Sequence, residues 1–116
     1  MKVAVVGSRS LGGECYALLR SHIPAGCSEI ISGGAKGVDE LAQRYAEEAG
    51  LRLTVLRPDY DVYNKSAPLV RNADIIRQAD YVLVFWDGAS KGSLSVIMTC
   101  LKLHKPIRLL LPKTGK

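Results

Sequence analysis

Residues 29–39 read Glu29-Ile30-Ile31-Ser32-Gly33-Gly34-Ala35-Lys36-Gly37-Val38-Asp39. The run Glu29–Ser32 is short, apolar and β-branched, which predicts a buried strand. From Val38 the period changes. Leu41, Ala42, Tyr45, Ala46 and Ala49 share one face of a helix ending near Ala49, and Gly50 stands where a C-terminal cap belongs. A strand that passes through glycines directly into a helix is the repeating unit of a parallel α/β sheet.

The same unit recurs on either side. Residues 2–6, KVAVV, form a β-branched strand ending at Gly7, and a helix over 13–23 stops at Pro24. Downstream, 52–57 read as a third strand, followed by a polar, tyrosine-containing loop from Pro58 to about Ala67. Pro68 fits the first position of a helix over 68–79. Residues 80–86, DYVLVFW, are the strongest strand; a helix over 93–104 and a final strand over 107–111 complete the chain. The alternation predicts a Rossmann-like three-layer α/β sandwich on a five-stranded parallel sheet, with right-handed crossovers and strand order 3-2-1-4-5. One domain spans 1–112, and 113–116 read as a loose tail.

The whole chain agrees. Its 116 residues suit one domain, and a hydrophobic fraction of 47% excludes a disordered segment. No stretch approaches the ~20 apolar residues of a membrane helix, and no signal-peptide pattern opens the chain. Cys15, Cys27 and Cys100 are odd in number and match no CxxC spacing, as expected of reduced, partly buried thiols in a cytoplasmic protein. No metal constellation is visible, no cofactor is called for, and His22 and His104 lie on helices away from the glycine loops. The net charge of +5 suits an anionic partner, but no basic run or aromatic-interleaved stripe singles out nucleic acid.

In such sheets ligands bind outside the carboxyl ends of the strands, so special residues should follow strands. They do. Strand 1 leads into Gly7-Ser8-Arg9-Ser10 and Gly12-Gly13, strand 2 into Ser32–Asp39, and strand 4 into Trp86-Asp87-Gly88-Ala89-Ser90-Lys91-Gly92-Ser93. Eight of the eleven glycines lie in these three loops, which makes tight turns alone an incomplete explanation. Each loop feeds a helix N-terminus, where unpaired N–H groups and the helix dipole favour an anion, and glycine lets a phosphate approach the backbone. The candidate ligand-binding residues are therefore Gly7, Ser8, Arg9, Ser32, Gly33, Gly34, Lys36, Gly37, Asp39, Trp86, Asp87, Gly88, Ser90, Gly92 and Ser93. Arg71 and Asn72, on the helix after the tyrosine loop, join them. Neither a Walker A spacing nor an intact GxGxxG is present. Asp39 also sits where an acid offsets a helix dipole, Asp87 where a turn wants an Asx residue, and Trp86 where a strand needs core.

Gly7-Ser8-Arg9, the segment Ser32–Asp39, Leu41-Ala42, Tyr45-Ala46, Arg71-Asn72, Ala79-Asp80 and Phe85-Trp86-Asp87-Gly88 with Ser90 and Gly92-Ser93 together resemble the SLOG superfamily, in its YspA-like group. The resemblance covers almost the whole chain. The superfamily includes the Rossmann domain of the DNA-processing protein A (Smf) and the "lonely guy" phosphoribohydrolases. It implies a pocket for a nucleotide or nucleotide-derived ligand, and often a homodimer. The phosphoribohydrolases carry a catalytic glutamate in PGGxGTxxE; Val96 occupies that position here, and valine does no acid–base work.

Three readings remain open at this point: a nucleotide-binding module such as a sensor, a nucleotide N-glycosidic hydrolase with a non-standard carboxylate, and a single-stranded DNA-binding module. For the second, Asp39, Asp87 and Arg71 are the catalytic candidates, with Asp59 and Asp61 as further carboxylates. For the third, Tyr60, Tyr63 and Trp86 are the stacking candidates.

Overall fold

A computed structural model describes residues 1–112; the expected tail, 113–116, lies outside the described residues. Five strands form one all-parallel sheet in the order β3-β2-β1-β4-β5, as expected: β1 is Lys2–Gly7, β2 Glu29–Ser32, β3 Arg52–Val55, β4 Tyr81–Phe85 and β5 Ile107–Leu110. Register is set at the centre, where Val3 pairs with Tyr81 and Gly7 with Phe85. The longer helices are α1 (Tyr16–His22), α2 (Val38–Ala49), α4 (Ala67–Gln78) and α5 (Lys91–Lys102), and α3 (Tyr60–Tyr63) is a single turn.

Alternation along the strands builds two cores. Val3, Val5, Ile30, Leu83 and Phe85 are fully buried on one face with Leu19 of α1 and Ala42 of α2. Ala4, Ile31, Val82 and Val84 face the other way, onto Ile75 and Ile76 of α4 and Val96 and Cys100 of α5. Each fully buried Ile or Leu contributes ~1.5–3 kcal/mol over its exposed state. Val96 is thus a core residue beneath the sheet.

Local chemistry sets the ends of the helices. At the start of α2, Glu40 Oε1 accepts a hydrogen bond from the Gly37 amide at 3.0 Å. At its end, Gly50 is left-handed (φ 67°) and the Leu51 amide reaches the Ala46 carbonyl at 2.9 Å. At the start of α5, Ser90 Oγ accepts from the Ser93 amide.

The differences from expectation are local. The first helix begins as a 3-10 turn, Gly13–Cys15, because Gly12-Gly13 favours no α-helix. The third strand stops at Val55, two residues early. The expected loop after Pro58 contains α3 and a 3-10 turn at Asn64–Ser66, ordered by polar caps: Asp59 Oδ1 accepts from the Val62 amide and Ser66 Oγ donates to the Tyr63 carbonyl. Pro68 is the second residue of α4, after Ala67. His104 lies just beyond α5 with φ 54°, where it lets the Lys105 amide close on the Cys100 carbonyl.

Candidate functional site

β1 is central, and the chain leaves it in opposite senses to reach β2 and β4. The loops after β1 and β4 therefore diverge, and a cleft opens between them at the switch point. The cleft has a volume of about 390 Å³. Its walls include Gly7, Arg9 and Ser10 after β1, Gly33, Ala35 and Asp39 after β2, Pro68, Arg71, Asn72 and Ile75 of α4, and Asp87, Ser90, Gly92 and Ser93 after β4. A second cavity of about 310 Å³ shares Arg9, Gly33, Ala35, Pro68 and Arg71 with it and extends to Gly34, Arg57, Pro58 and Tyr60.

The β1–β4 wall is locked from within. Ser8 is buried; its Oγ accepts from the Asp87 amide at 3.2 Å and meets Ser93 Oγ at 3.3 Å. Asp87 Oδ2 accepts from Ser10 Oγ at 2.6 Å, and its Oδ1 from the Ala89 and Ser90 amides at 2.9 and 2.8 Å. The Ser10 hydroxyl and then those two amides hold the Asp87 carboxyl down at about 2. Asp87 is therefore a charged anchor at neutral pH with both oxygens engaged, a poor proton donor. Trp86 donates its indole N–H to the Ser90 carbonyl at 2.9 Å and packs on the core, and it does not line the cleft.

The β2–α4 wall is different. Gly33 is bare because Arg71 lies against it: a Cβ there would stand 2.6 Å from Arg71 Nη1. That nitrogen donates to the Gly33 carbonyl at 2.6 Å and to the Leu56 carbonyl at 3.4 Å, and Nε donates to Asn72 Oδ1 at 2.8 Å. The guanidinium is thus fixed by backbone, while Nη2 has no protein partner among the described residues. Arg9, reaching the cleft from the loop after β1, is exposed and makes no hydrogen bond among the described residues. Asp39 is buried, with Oδ2 accepting from the Ala35 amide at 3.0 Å. Burial pushes its carboxyl up, against the opposing pull of the Ala35 amide and the Arg71 charge. Burial also lowers the Arg71 guanidinium, which stays charged at any ordinary pH.

The helix ends differ too. α2 opens with Asp39 and Glu40, so its own acids offset the dipole. α5 opens with Lys91 and no acid in its first turn; the charged Asp87 carboxylate just ahead of it takes the Ala89 and Ser90 amides, and Gly92 and Ser93 line the cleft.

Of the residues expected from sequence, Gly7, Arg9, Gly33, Asp39, Arg71, Asn72, Asp87, Ser90, Gly92 and Ser93 line the main cleft, and Gly34 the adjoining cavity. Ser8, Ser32, Lys36, Gly37, Trp86 and Gly88 do not line it. Gly7 and Gly37 have packing duties: a Cβ on Gly7 would stand 2.4 Å from Val38 Cβ, and one on Gly37 2.6 Å from the Leu11 carbonyl. Asp59, Asp61 and Tyr63 are exposed on α3 or its cap, outside both cavities. Ser10, Arg57 and Pro68 were not expected; Arg57 follows β3, and applying the carboxyl-end rule to that glycine-free loop would have found it.

Among the described residues no group of three His, Cys, Asp or Glu side chains is placed to hold a metal ion. No described helix is long and apolar enough to cross a membrane.

A model of the family described as "YspA, cpYpsA-related SLOG family" matches residues 1–63. The Gene 61 protein of Mycobacterium phage D29 is 31% identical over an alignment of 84 residues that covers 67% of this chain and 67% of that protein. Among solved structures, the DNA processing protein A of Helicobacter pylori, described for its single-stranded DNA binding mode, is similar with a TM-score of 0.73 and 27% identity. The match covers 100% of this chain and 67% of that one.

Proposed function

Because the chain belongs to the YspA, cpYpsA-related SLOG family, we propose that its cleft binds a nucleotide or nucleotide-derived ligand, as a binding or sensing module. The observation that carries this reading is Arg71: a half-buried guanidinium, fixed on the Gly33 and Leu56 carbonyls, with Nη2 uncommitted beside an equally uncommitted Arg9. Fixed donors of this kind suit a phosphate, since little side-chain freedom is lost on binding. The amino end of α5 brings Gly92 and Ser93 to the same cleft. Asp39 and Asn72 line the same cleft, and their polar groups suit ribose hydroxyls or a base edge. Hydrolysis finds less support: Val96 is core, and of the two carboxylates among the described residues lining the cleft, Asp87 is engaged on both oxygens, which leaves Asp39 for such a role.

Calorimetric titration with mono-, di- and cyclic nucleotides and ADP-ribose tests the reading. At least one is expected to bind at micromolar or better affinity with one site per chain, and silence across the panel would overturn it.

The likeness to the Helicobacter pylori protein supports a second reading, that the cleft takes single-stranded DNA. Binding to an oligonucleotide with a steep loss of affinity as salt rises would favour it over a small ligand.

Pairing with a second copy and a cytoplasmic location go with either reading. The first is supported by an exposed apolar stripe on α5, Leu94, Met98 and Leu101, beside Leu109 and Leu111. Sedimentation of the wild type against Met98→Glu tests it: a dimer that the charge dissociates is expected, and a monomeric wild type would refute it.

A further inference from the structure

The two adjoining cavities share a wall, and that wall is where the cations are. Arg9 and Arg71 line both. On one side lies the main cleft with its polar lining of Asp39, Asn72 and Ser93. On the other lies a smaller cavity whose distinguishing residues are Arg57, Pro58 and Tyr60. Tyr60 is 57% exposed, so its ring covers no core and is open to contact. The cap from Asp59 to Val62 fixes the turn that carries it. Arg57 is steadied by donating to the Gly34 carbonyl at 3.1 Å. Gly34, at φ 71°, leaves room for that contact, since a Cβ would stand 2.7 Å from Arg57 Nη1.

A mononucleotide with its phosphate at Arg9 and Arg71 would fill one cavity and leave the other empty. Resting on the nucleotide reading of the cleft, we infer that the site takes a ligand with an internal phosphate flanked by two nucleosides, the phosphate at Arg9 and Arg71, one nucleoside in the main cleft and the other with its base against Tyr60. A flat ring between Tyr60 and the proline and guanidinium surfaces around it is a sequence-tolerant stacking site. The shared chemistry belongs equally to a free dinucleotide and to a stretch of single strand.

The test compares adenosine 5′-monophosphate, two adenosines joined by one phosphodiester, and a longer oligoadenylate strand, each titrated into the full chain. Charge alone favours the monophosphate, which carries the more negative phosphate. The two-armed site reverses that order: the dinucleoside phosphate is expected to bind about tenfold more tightly, the scale of one base–aromatic stack. Tyr60→Ala should lose that advantage, and Tyr60→Phe should keep it. Tyr60 is exposed, so neither substitution removes core packing, and thermal melts check that the fold is kept. Equal affinity for dinucleoside phosphate and strand would identify a free dinucleotide as the source; a much tighter, salt-steep strand would identify single-stranded nucleic acid. Monophosphate binding at least as tight as the dinucleoside phosphate, or an unchanged preference in Tyr60→Ala, would overturn the second arm and leave the cleft as a mononucleotide site. Binding of none of the three would overturn the second arm together with the adenine-nucleotide form of the reading it rests on.

Discussion

The two walls of the cleft treat their polar groups in opposite ways. On the β1–β4 side, Ser8, Ser10, Asp87, Ser90 and Trp86 bond to one another and to the loop backbone. On the β2–α4 side, Arg71 is anchored through one part of its fork and open through another, and Asp39 is buried against its own preference for water; Arg9, in the loop after β1, is the unengaged exception on the opposite wall. Both walls are rich in the glycine and serine that suggest ligand binding. Residue type therefore does not separate a loop that holds itself together from one that holds something else; the hydrogen-bond partners do.

The contrast breaks first at Arg71. Arg71→Ala removes the fixed fork and should weaken nucleotide binding by about 100-fold, within the 2–5 kcal/mol range for a paired charge. Arg71→Lys should recover little, because a lysine cannot hold the two carbonyls and a phosphate together. Calorimetry measures both, and an alanine variant that binds as wild type would erase the distinction between the walls.

Ser8 should behave the other way round. Ser8→Ala leaves the Asp87 amide and the Ser93 hydroxyl without that partner, and is expected to lower unfolding free energy by ~1–3 kcal/mol in urea melts while moving ligand affinity much less. An affinity loss larger than the stability loss would make Ser8 a ligand contact.

Acid separates the two carboxylates. Asp87 has its folded pKa depressed from 3.8 to about 2, so it contributes stability above its unfolded value that is lost as pH falls through the folded one. Asp39 has its folded pKa raised above 3.8, so its charge opposes folding at neutral pH and protonation relieves that as pH falls toward the unfolded value. Between neutral pH and about pH 2, Asp87→Asn should flatten the acid loss of stability and Asp39→Asn should steepen it. Parallel shifts of the two urea-midpoint profiles would contradict the assignment. The smallest effect is expected at Trp86: Trp86→Phe keeps a ring on the core, loses the bond to the Ser90 carbonyl, and should cost about 0.5–1.5 kcal/mol without altering binding.

Much of this architecture was legible in the residues themselves. The short apolar strands, the period change at Val38 and the glycines after β1, β2 and β4 carried the sheet order and the edge that bears the cleft. What escaped depends on contacts distant in sequence or on polar caps. Ser8 and Ser93 are 85 residues apart, and nothing in either loop says that they meet. Arg71 reaches back 38 residues to the Gly33 carbonyl, which explains a bare glycine that the sequence attributes equally well to a phosphate. The turn at Tyr60–Tyr63 has no apolar period to announce it, because its caps rather than a buried face hold it.

The central claim, that the cleft at the β1–β4 switch point binds a nucleotide-type anion, is most directly tested by following backbone amides by NMR during titration with mono-, di- and cyclic nucleotides and ADP-ribose in turn. The predicted result is saturable shifts concentrated at Gly33, Ala35, Asn72, Gly92 and Ser93, with none at Arg20 or Arg44 in the groove between α1 and α2. Shifts centred on that groove, or no saturable shifts at all, would contradict it.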